Sequence, residues 1–422
     1  MAHLLRNTGW FFVALLTAAC AATPEPHAAP SKNTTALVGG RVQPDPEGAV
    51  IPDGVVLIVD GRIAAVGRRA DVAVPPGATV IDCTGGTVTA GFWNSHVHLM
   101  SAALQGAESA PAAQLAEGVR AMLTSYGVVH AVDIGSRLAN TLALRRRVER
   151  GEIPGPSILT AGSGFAPEGG SPYYILPLRL PELLDEALTA ALVNGEIDGG
   201  ADLVKLFTGS WARRDAIVVM PVDIVRAATG AAHRRSKIVI AHPSNSAGAR
   251  AAIEGGVDIL AHTFPSELDR RPWDRALPGM MRERGMALVP TLKLWPYELR
   301  KVGLPQPVVD LVLGNGQAQL RAFAELGGQV LFGTDVGYMT DFDPTDEYVY
   351  MQQAGLSYAR ILAALTTAPA ARFGAAARTG RLAAGLDADV VVLDGHPAED
   401  IRALGRVRAT LRSGQVIYRR TP

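Results

Sequence analysis

Residues 90–98 read Ala-Gly-Phe-Trp-Asn-Ser-His-Val-His, an apolar run that ends in two histidines one residue apart. Alternate side chains of an extended strand share a face, so His96 and His98 point the same way and can hold one ion. An isolated pair of this kind is more often incidental, and its weight comes from the residues downstream of it. His242 closes the run Ile238–Ala241, His262 closes Ile259–Ala261, and Asp335 succeeds Leu331–Thr334. Metal-ligating side chains thus recur at the ends of separate β-rich runs. Eight such runs are expected: Gly91–Val97, Val128–Ile134, Ser157–Ala161, Leu203–Phe207, Ile238–Ala241, Asp258–Ala261, Ala287–Thr291 and Gln329–Gly333. Between them lie segments with helical spacing, such as Thr141–Arg150, Pro181–Gly195, Pro221–Arg235 and Val308–Gly327. This alternation is that of an α/β fold, a (β/α)8 TIM-like barrel whose catalytic groups sit at the carboxyl ends of the strands. Pro181 and Pro221 are expected in first helical turns, and Gly195 at a helix stop.

Outward from a barrel over 91–375, the pattern changes to short strands. Val55–Val59 and Arg62–Val66 flank Asp60-Gly61, a pair that tolerates the positive φ of a tight hairpin turn, and Val80–Cys83 adds another strand. Similar runs return at the other end as Ala388–Leu393, Ala409–Leu411 and, after Ser413-Gly414, Val416–Tyr418. Both chain ends, 36–90 and 376–422, are expected to meet in one small β-sandwich domain.

The chain has 422 residues, with forty basic and forty acidic side chains. No global field draws it to nucleic acid, which is excluded as a partner. Residues 1–20 read as an export signal, with Arg6 ahead of the apolar stretch Gly9–Ala19 and small residues around Cys20. Leu16-Thr17-Ala18-Ala19-Cys20 resembles a lipoprotein cleavage site, and Ala19-Cys20-Ala21 also permits ordinary cleavage. The expected location is outside the cytoplasm of a bacterium, either periplasmic or tethered to the membrane by a lipid on Cys20. Residues 21–35 then form a flexible spacer rich in Ala and Pro. With Cys20 so placed, Cys83 is left alone, and no disulfide framework is expected.

Lys205 lies inside the apolar run Leu203–Phe207, where a bare ammonium is costly to bury. An ion pair with Asp202 or a snorkelling stem would relieve the cost. So would reaction of a desolvated amine with carbon dioxide, giving an anionic carbamate able to bridge two cations. Asp335 would ordinarily cap the next helix, but in the company of four strand-end histidines it is better placed as a ligand and proton acceptor. His3, His27, His233 and His396 carry no expected role, and His130 in the second run is read as a packed histidine.

Together these residues resemble the amidohydrolase superfamily, in its imidazolonepropionase-like and prolidase-like branch. The resemblance runs through Gly61-Arg62-Ile63, Gly91-Phe92, His96-Val97-His98, Lys205, Ala241-His242, Ala261-His262, Gly333-Thr334-Asp335 and Ala388–Leu393. It implies two divalent ions, expected to be zinc from the imidazole-rich donor set. His96, His98 and Asp335 would hold the more buried ion, His242 and His262 the more exposed one, and carbamylated Lys205 would bridge both. Water activated between the ions would attack a carbonyl, with Asp335 as the catalytic proton acceptor.

The substrate is expected among the strand-end loops, which offer Tyr173, Tyr174, Trp211, Arg213, Arg214, Lys293, Trp295 and Tyr338. These aromatic and cationic groups suit a small molecule with an apolar side chain and a carboxylate. Similar members of the superfamily are exported dipeptidases and enzymes that cleave the phenylalanine amide of ochratoxin. The expected activity is therefore hydrolysis of an amide in a dipeptide or an N-acyl amino acid, ochratoxin included. Two alternatives stand beside it: a lactonase or organophosphate esterase, and a periplasmic metal- or solute-binding protein without turnover. A homo-oligomer is a further expectation from the resemblance.

Overall fold

A computed structural model describes residues 33–264, 267 and 271–421. The export signal, Cys20 and most of the spacer lie outside the described residues. Both chain ends enter one eight-stranded sheet. Its order is Gln415–Arg419, Val407–Arg412, Val390–Asp394, Gly86–Ala90, Thr34–Val42, Ile51–Val59 and Arg62–Arg68, with Thr79–Asp82 pairing in parallel with Thr34–Val42. The join between the ends is the antiparallel ladder of Val390–Asp394 against Gly86–Ala90. Alternation buries Leu37, Val56, Ile58, Ile63, Val88, Val390 and Val392 in one cluster that holds this sheet together. At the Asp60-Gly61 turn both residues have positive φ, 48° and 79°. A Cβ on Gly61 would also stand 2.8 Å from the Ser413 carbonyl oxygen, so the turn and the approach of the C-terminal hairpin both require glycine.

The middle of the chain supplies eight parallel strands in two runs. Phe92–Val97, Val128–Asp133 and Ser157–Thr160 form a three-stranded sheet; Leu203–Phe207, Ile238–His242, Ile259–Ala261, Ala287–Val289 and Gln329–Val330 form a five-stranded one. Backbone hydrogen bonds cross both seams. Asp202 N donates to Thr160 O (2.7 Å) and Phe207 N to Phe165 O (2.9 Å) at one; Ser95 N donates to Phe332 O (2.8 Å) and Asp335 N to His96 O (2.9 Å) at the other.

Two hydrophobic clusters show which way each side chain faces. Leu203, Ile240, Ile259, Ala287, Val289 and Leu331 meet one another on the inner face, whereas Val204, Leu206, Val239, Ala241, Leu260 and Leu288 pack outward beneath the helices. Period-two alternation from Leu203 and Ile240 then turns Lys205 and His242 inward. In the first strand the ladder is irregular between Asn94 and Val97, and Val97 packs outward with the helix Ala112–Met122. That irregularity resets the alternation, leaving His96 and His98 on the inner side.

Helix boundaries depart from expectation at one place. The segment expected to be helical over 181–195 begins with a short bridge, Glu182–Leu183, and the helix runs Glu186–Asp198. Asp185 captures its N-terminus by accepting from Leu188 N at 2.8 Å, so neither Pro181 nor Gly195 marks an end. Gly195 sits inside the helix with open space beside it, and Gly199 is the stop. Pro221 does stand directly before its helix, Val222–Arg234.

Candidate metal centre

At the carboxyl ends of the inner strands, four side chains converge. His98 Nε2 lies 2.8 Å and His96 Nε2 3.2 Å from Asp335 Oδ1. The ligand atoms of His96, His262 and Asp335 lie within 4.8 Å of one another. The His262 ring stands 4.5 Å from that of His96 and 4.7 Å from that of His242, which brings the fifth ligand candidate alongside.

The approach of the histidines to Asp335 lacks hydrogen-bond geometry. Both ring nitrogens of His96, Nδ1 of His98 and Oδ1 of Asp335 are buried without a hydrogen-bond partner. Buried polar atoms are rarely left so, and a cluster of imidazole nitrogens around a carboxylate oxygen is a donor set for a borderline cation such as zinc. The residues present therefore fit a metal.

Two hydroxyls fix which nitrogen each remaining histidine offers. Thr291 Oγ1 lies 2.9 Å from Pro290 O and 2.6 Å from His262 Nδ1; a hydroxyl that donates to the carbonyl accepts from the ring, and in that tautomer His262 carries its proton on Nδ1 and keeps the Nε2 lone pair free. Ser244 Oγ likewise donates to Gly209 O (2.8 Å) and accepts from His242 Nε2 (2.9 Å), leaving the Nδ1 lone pair. Outer hydroxyls of this kind orient metal-binding histidines.

Burial and the neighbouring charges act on these groups in opposite directions. Burial lowers the His96 pKa to about 3 and those of His242 and His262 well below the ordinary value. Burial alone would raise Asp335, but the adjacent His96 and His98 hold its carboxyl well below the usual range.

Lys205 is 1% exposed, and burial lowers its ammonium pKa to about 7. Beside it lies the Phe207 ring, 5.3 Å away. Asp202 does not relieve it, because that carboxylate is held by Arg145 at 2.6 Å and by the Thr160 N–H at 2.9 Å. An amine that is partly neutral near pH 7, buried without a counter-ion at ion-pair distance, is in the state from which a carbamate forms.

The backbone is strained where these ligands sit. Ser244, His262, Thr291 and Asp335 all have positive φ, between 44° and 73°. Such conformations cost free energy, and their clustering marks a site whose geometry is imposed by the surrounding fold. Gly333 permits the last strand to approach the first, since a Cβ there would meet Val289 Cγ1 at 2.4 Å and His96 Cβ at 2.7 Å.

The substrate candidates divide. Tyr173, Tyr174 and Tyr338 form a chain of edge-on rings, 5.6 and 5.8 Å between centroids, and Tyr338 lies three residues beyond Asp335. Trp211 lies half-buried in the hairpin of Gly209–Arg213 with Ala216–Val219. Trp295 is buried, its Nε1 donating to Thr263 Oγ1 at 3.2 Å.

The Lys293 ammonium is paired with the Asp341 carboxylate (2.9 Å) and bonded to the carbonyls of Asp341 and Asp343, which fastens the 341–343 loop. Arg213 is exposed and paired with Asp215. Two cations reach the aromatic chain: exposed Arg214 stacks 6.0 Å over the Tyr173 ring, and the Lys301 ammonium lies 5.8 Å over the Tyr338 ring.

Sequence reasoning passed over Ser244, Thr291 and Asp133. Asp133 is buried and accepts from Leu99 N, Ser136, Thr141 and Thr160, fixing the backbone just beyond His98. Its signal was available, since a carboxylate inside the apolar run Val128–Ile134 needs compensation just as Lys205 does. His130 stays away from the centre, bonded to Asp389 at 2.9 Å and stacked on Trp93.

Known proteins share this architecture. The Amidohydrolase family matches residues 87–417. An ochratoxinase of Aspergillus niger is 23% identical over 431 residues, covering 89% of this chain and 84% of its own. An imidazolonepropionase of Solibacter usitatus is 26% identical over 426 residues, 88% of this chain and 93% of its own. Among solved structures, a putative prolidase from Bifidobacterium longum superposes with a TM-score of 0.77 at 26% identity, covering 93% of this chain and 96% of that one.

Proposed function

The chain belongs to the amidohydrolase family, and from that premise we propose that this hydrolase cleaves the amide bond of a small substrate bearing a carboxylate, a dipeptide or an N-acyl amino acid. What carries the reading is the convergence of His96, His98, His262 and Asp335, with unbonded ring nitrogens on His96 and His98, beside a buried Lys205 that has no counter-ion at ion-pair distance. The two parallel sheets are read as one closed (β/α)8 barrel, with this centre at its mouth.

His96, His98 and Asp335 would hold one ion, and His242 through Nδ1 and His262 through Nε2 a second. Lys205 would reach both after its neutral amine adds to carbon dioxide, forming an N–C bond and releasing a proton. Bound ions would polarise the scissile carbonyl and lower the pKa of the attacking water. Asp335, ionised and buried, accepts the proton that this water gives up and returns it to the departing amine nitrogen. Arg214 on Tyr173 is the group placed to receive the substrate carboxylate, and the Tyr173–Tyr174–Tyr338 rings line the way from it to Asp335.

Relatives in the family support the substrate class: one is an ochratoxinase and one structural neighbour a putative prolidase. Export, as read from residues 1–20, is part of the same proposal. The test is a mass-spectrometric screen of dipeptides, N-acyl amino acids, ochratoxin and lactones with metal-loaded protein. Release of a free amino acid that stops on chelation and returns with zinc is the expected result. Turnover confined to lactones or phosphate esters would reject amide hydrolysis, and tight binding without product would reject catalysis.

A further inference from the structure

His262 stands between the other ligand candidates, its ring 4.5 Å from that of His96 and 4.7 Å from that of His242. The hydroxyl beside it, Thr291 Oγ1 at 2.6 Å from Nδ1, belongs to a β-branched residue whose φ is 44°. A left-handed backbone at such a residue costs free energy and persists only where its surroundings hold it. On the amino side, Thr291 follows the strand Ala287–Val289, and Thr263 N donates to Pro290 O at 3.1 Å. On the carboxyl side it runs into the helix Leu294–Lys301. N–H groups that enter a helix have no partner within it.

Glu347 takes one of them. Its Oε2 accepts from Lys293 N at 2.7 Å, and the side chain is buried, projecting from the helix Thr345–Gln353. A carboxylate in this place also meets the positive pole of the Leu294–Lys301 helix. Lys293 reaches back in the opposite direction: its ammonium pairs with the Asp341 carboxylate at 2.9 Å and bonds the carbonyls of Asp341 and Asp343. The turn after Thr291 is thus gripped through backbone and side chain by residues 341–347, a continuation of the segment that carries Asp335. Glu347 Oε1 is left buried without a partner. Packing the helix alone does not require that cost, since an apolar side chain would fill the same space.

We propose that Glu347 is a positioning residue for the metal centre: by holding Lys293 N it fixes the turn at Thr291, and through the Thr291 hydroxyl it sets the orientation of the His262 ring. The proposal rests on the reading of His262 as a ligand. Outer partners of this kind act on affinity without touching the ion. The ion assigned to His96 and His98 draws both histidines from another strand exit, so the loss falls on the ion that His262 holds.

The probe is zinc, titrated against a chromogenic chelator into the full chain stripped of metal. At pH 8 Glu347, its carboxyl pushed up to about 7, is ionised. Glu347→Met keeps the side-chain length and removes the acceptor. It should weaken the ion that is lost in His262→Ala by about tenfold or more and leave the other within about twofold. Glu347→Gln retains an acceptor oxygen and should restore most of the affinity. In a Thr291→Val background, where the link to His262 is already cut, Glu347→Met should add less than about twofold. A helix anchor with no bearing on His262 would lower the denaturant midpoint while leaving both affinities unmoved, or weaken them equally in both backgrounds; either result overturns the proposal. If Glu347→Met folds poorly, Glu347→Asp, which keeps the charge and withdraws the carboxylate by one methylene, should show the same pattern. Zinc uptake indifferent to His262→Ala would remove the ligand reading itself, and this proposal with it.

Discussion

At the residue scale, the centre depends on which nitrogen each histidine presents. Thr291 accepts from His262 Nδ1 when its own proton goes to Pro290 O. Thr291→Val removes that acceptor and frees the ring to tautomerise or turn. Metal affinity should fall about 10- to 100-fold, read by competition with a chromogenic chelator, while the fold is retained. Unchanged affinity would contradict the orienting role of Thr291. Lys205→Ala and Asp335→Asn should each lower kcat/KM by about a thousandfold or more, since in the proposed chemistry one supplies the bridging anion and the other the proton acceptor. Retained turnover in either would contradict its role. For Arg214→Gln, KM should rise about tenfold for carboxylate substrates and stay unchanged for their amide-capped forms.

At the element scale, strand ends decide where ligands point. Gly333→Ala would drive a methyl group between Val289 and His96, and overpacking of this kind costs about 1–3 kcal/mol. Denaturant unfolding should show that loss together with weaker metal binding; full stability would contradict the close approach described. The strands themselves were legible because apolar, β-branched runs repeat with ligands at their ends. Their inner and outer faces were less so. Period-two counting places Lys205 and His242 correctly, but His262 and Asp335 sit past their strands at positive φ, where alternation no longer applies. The N-terminus of Glu186–Asp198 was missed because Asp185 outcompetes Pro181 as the start, a choice made by one side-chain hydrogen bond. The pairing of Lys293 was not legible for a related reason: its partners Asp341 and Asp343 arrive from a loop about fifty residues away, and a distant loop leaves no mark in local sequence.

At the scale of the whole molecule, both chain ends share one sheet, and the candidate metal centre is assembled from strands spread over the chain between them. The helix Thr345–Gln353 is bound to the segment that follows the strand Ala287–Val289 by Glu347, whose Oε2 accepts from Lys293 N at 2.7 Å while Oε1 is buried without a partner. Burial raises this carboxyl from 4.5 to about 7, against the opposing backbone N–H groups and Lys293. Between those values the folded chain keeps a proton that the unfolded chain has lost, so stability falls as pH rises from about 4.5 to about 7 and then levels off. Glu347→Gln removes this titration. Its stability relative to wild type should climb across that window, by on the order of 3 kcal/mol at most. A constant difference in denaturant midpoints would contradict the assignment.

The central claim is a pair of ions bridged by a modified lysine, and metal content per folded chain addresses it most directly. Protein loaded with zinc in bicarbonate buffer, freed of excess by gel filtration and measured by plasma emission, should carry two ions per chain. Lys205→Ala should carry one or fewer. One ion per chain in both proteins would contradict the bridged pair and with it the proposed chemistry.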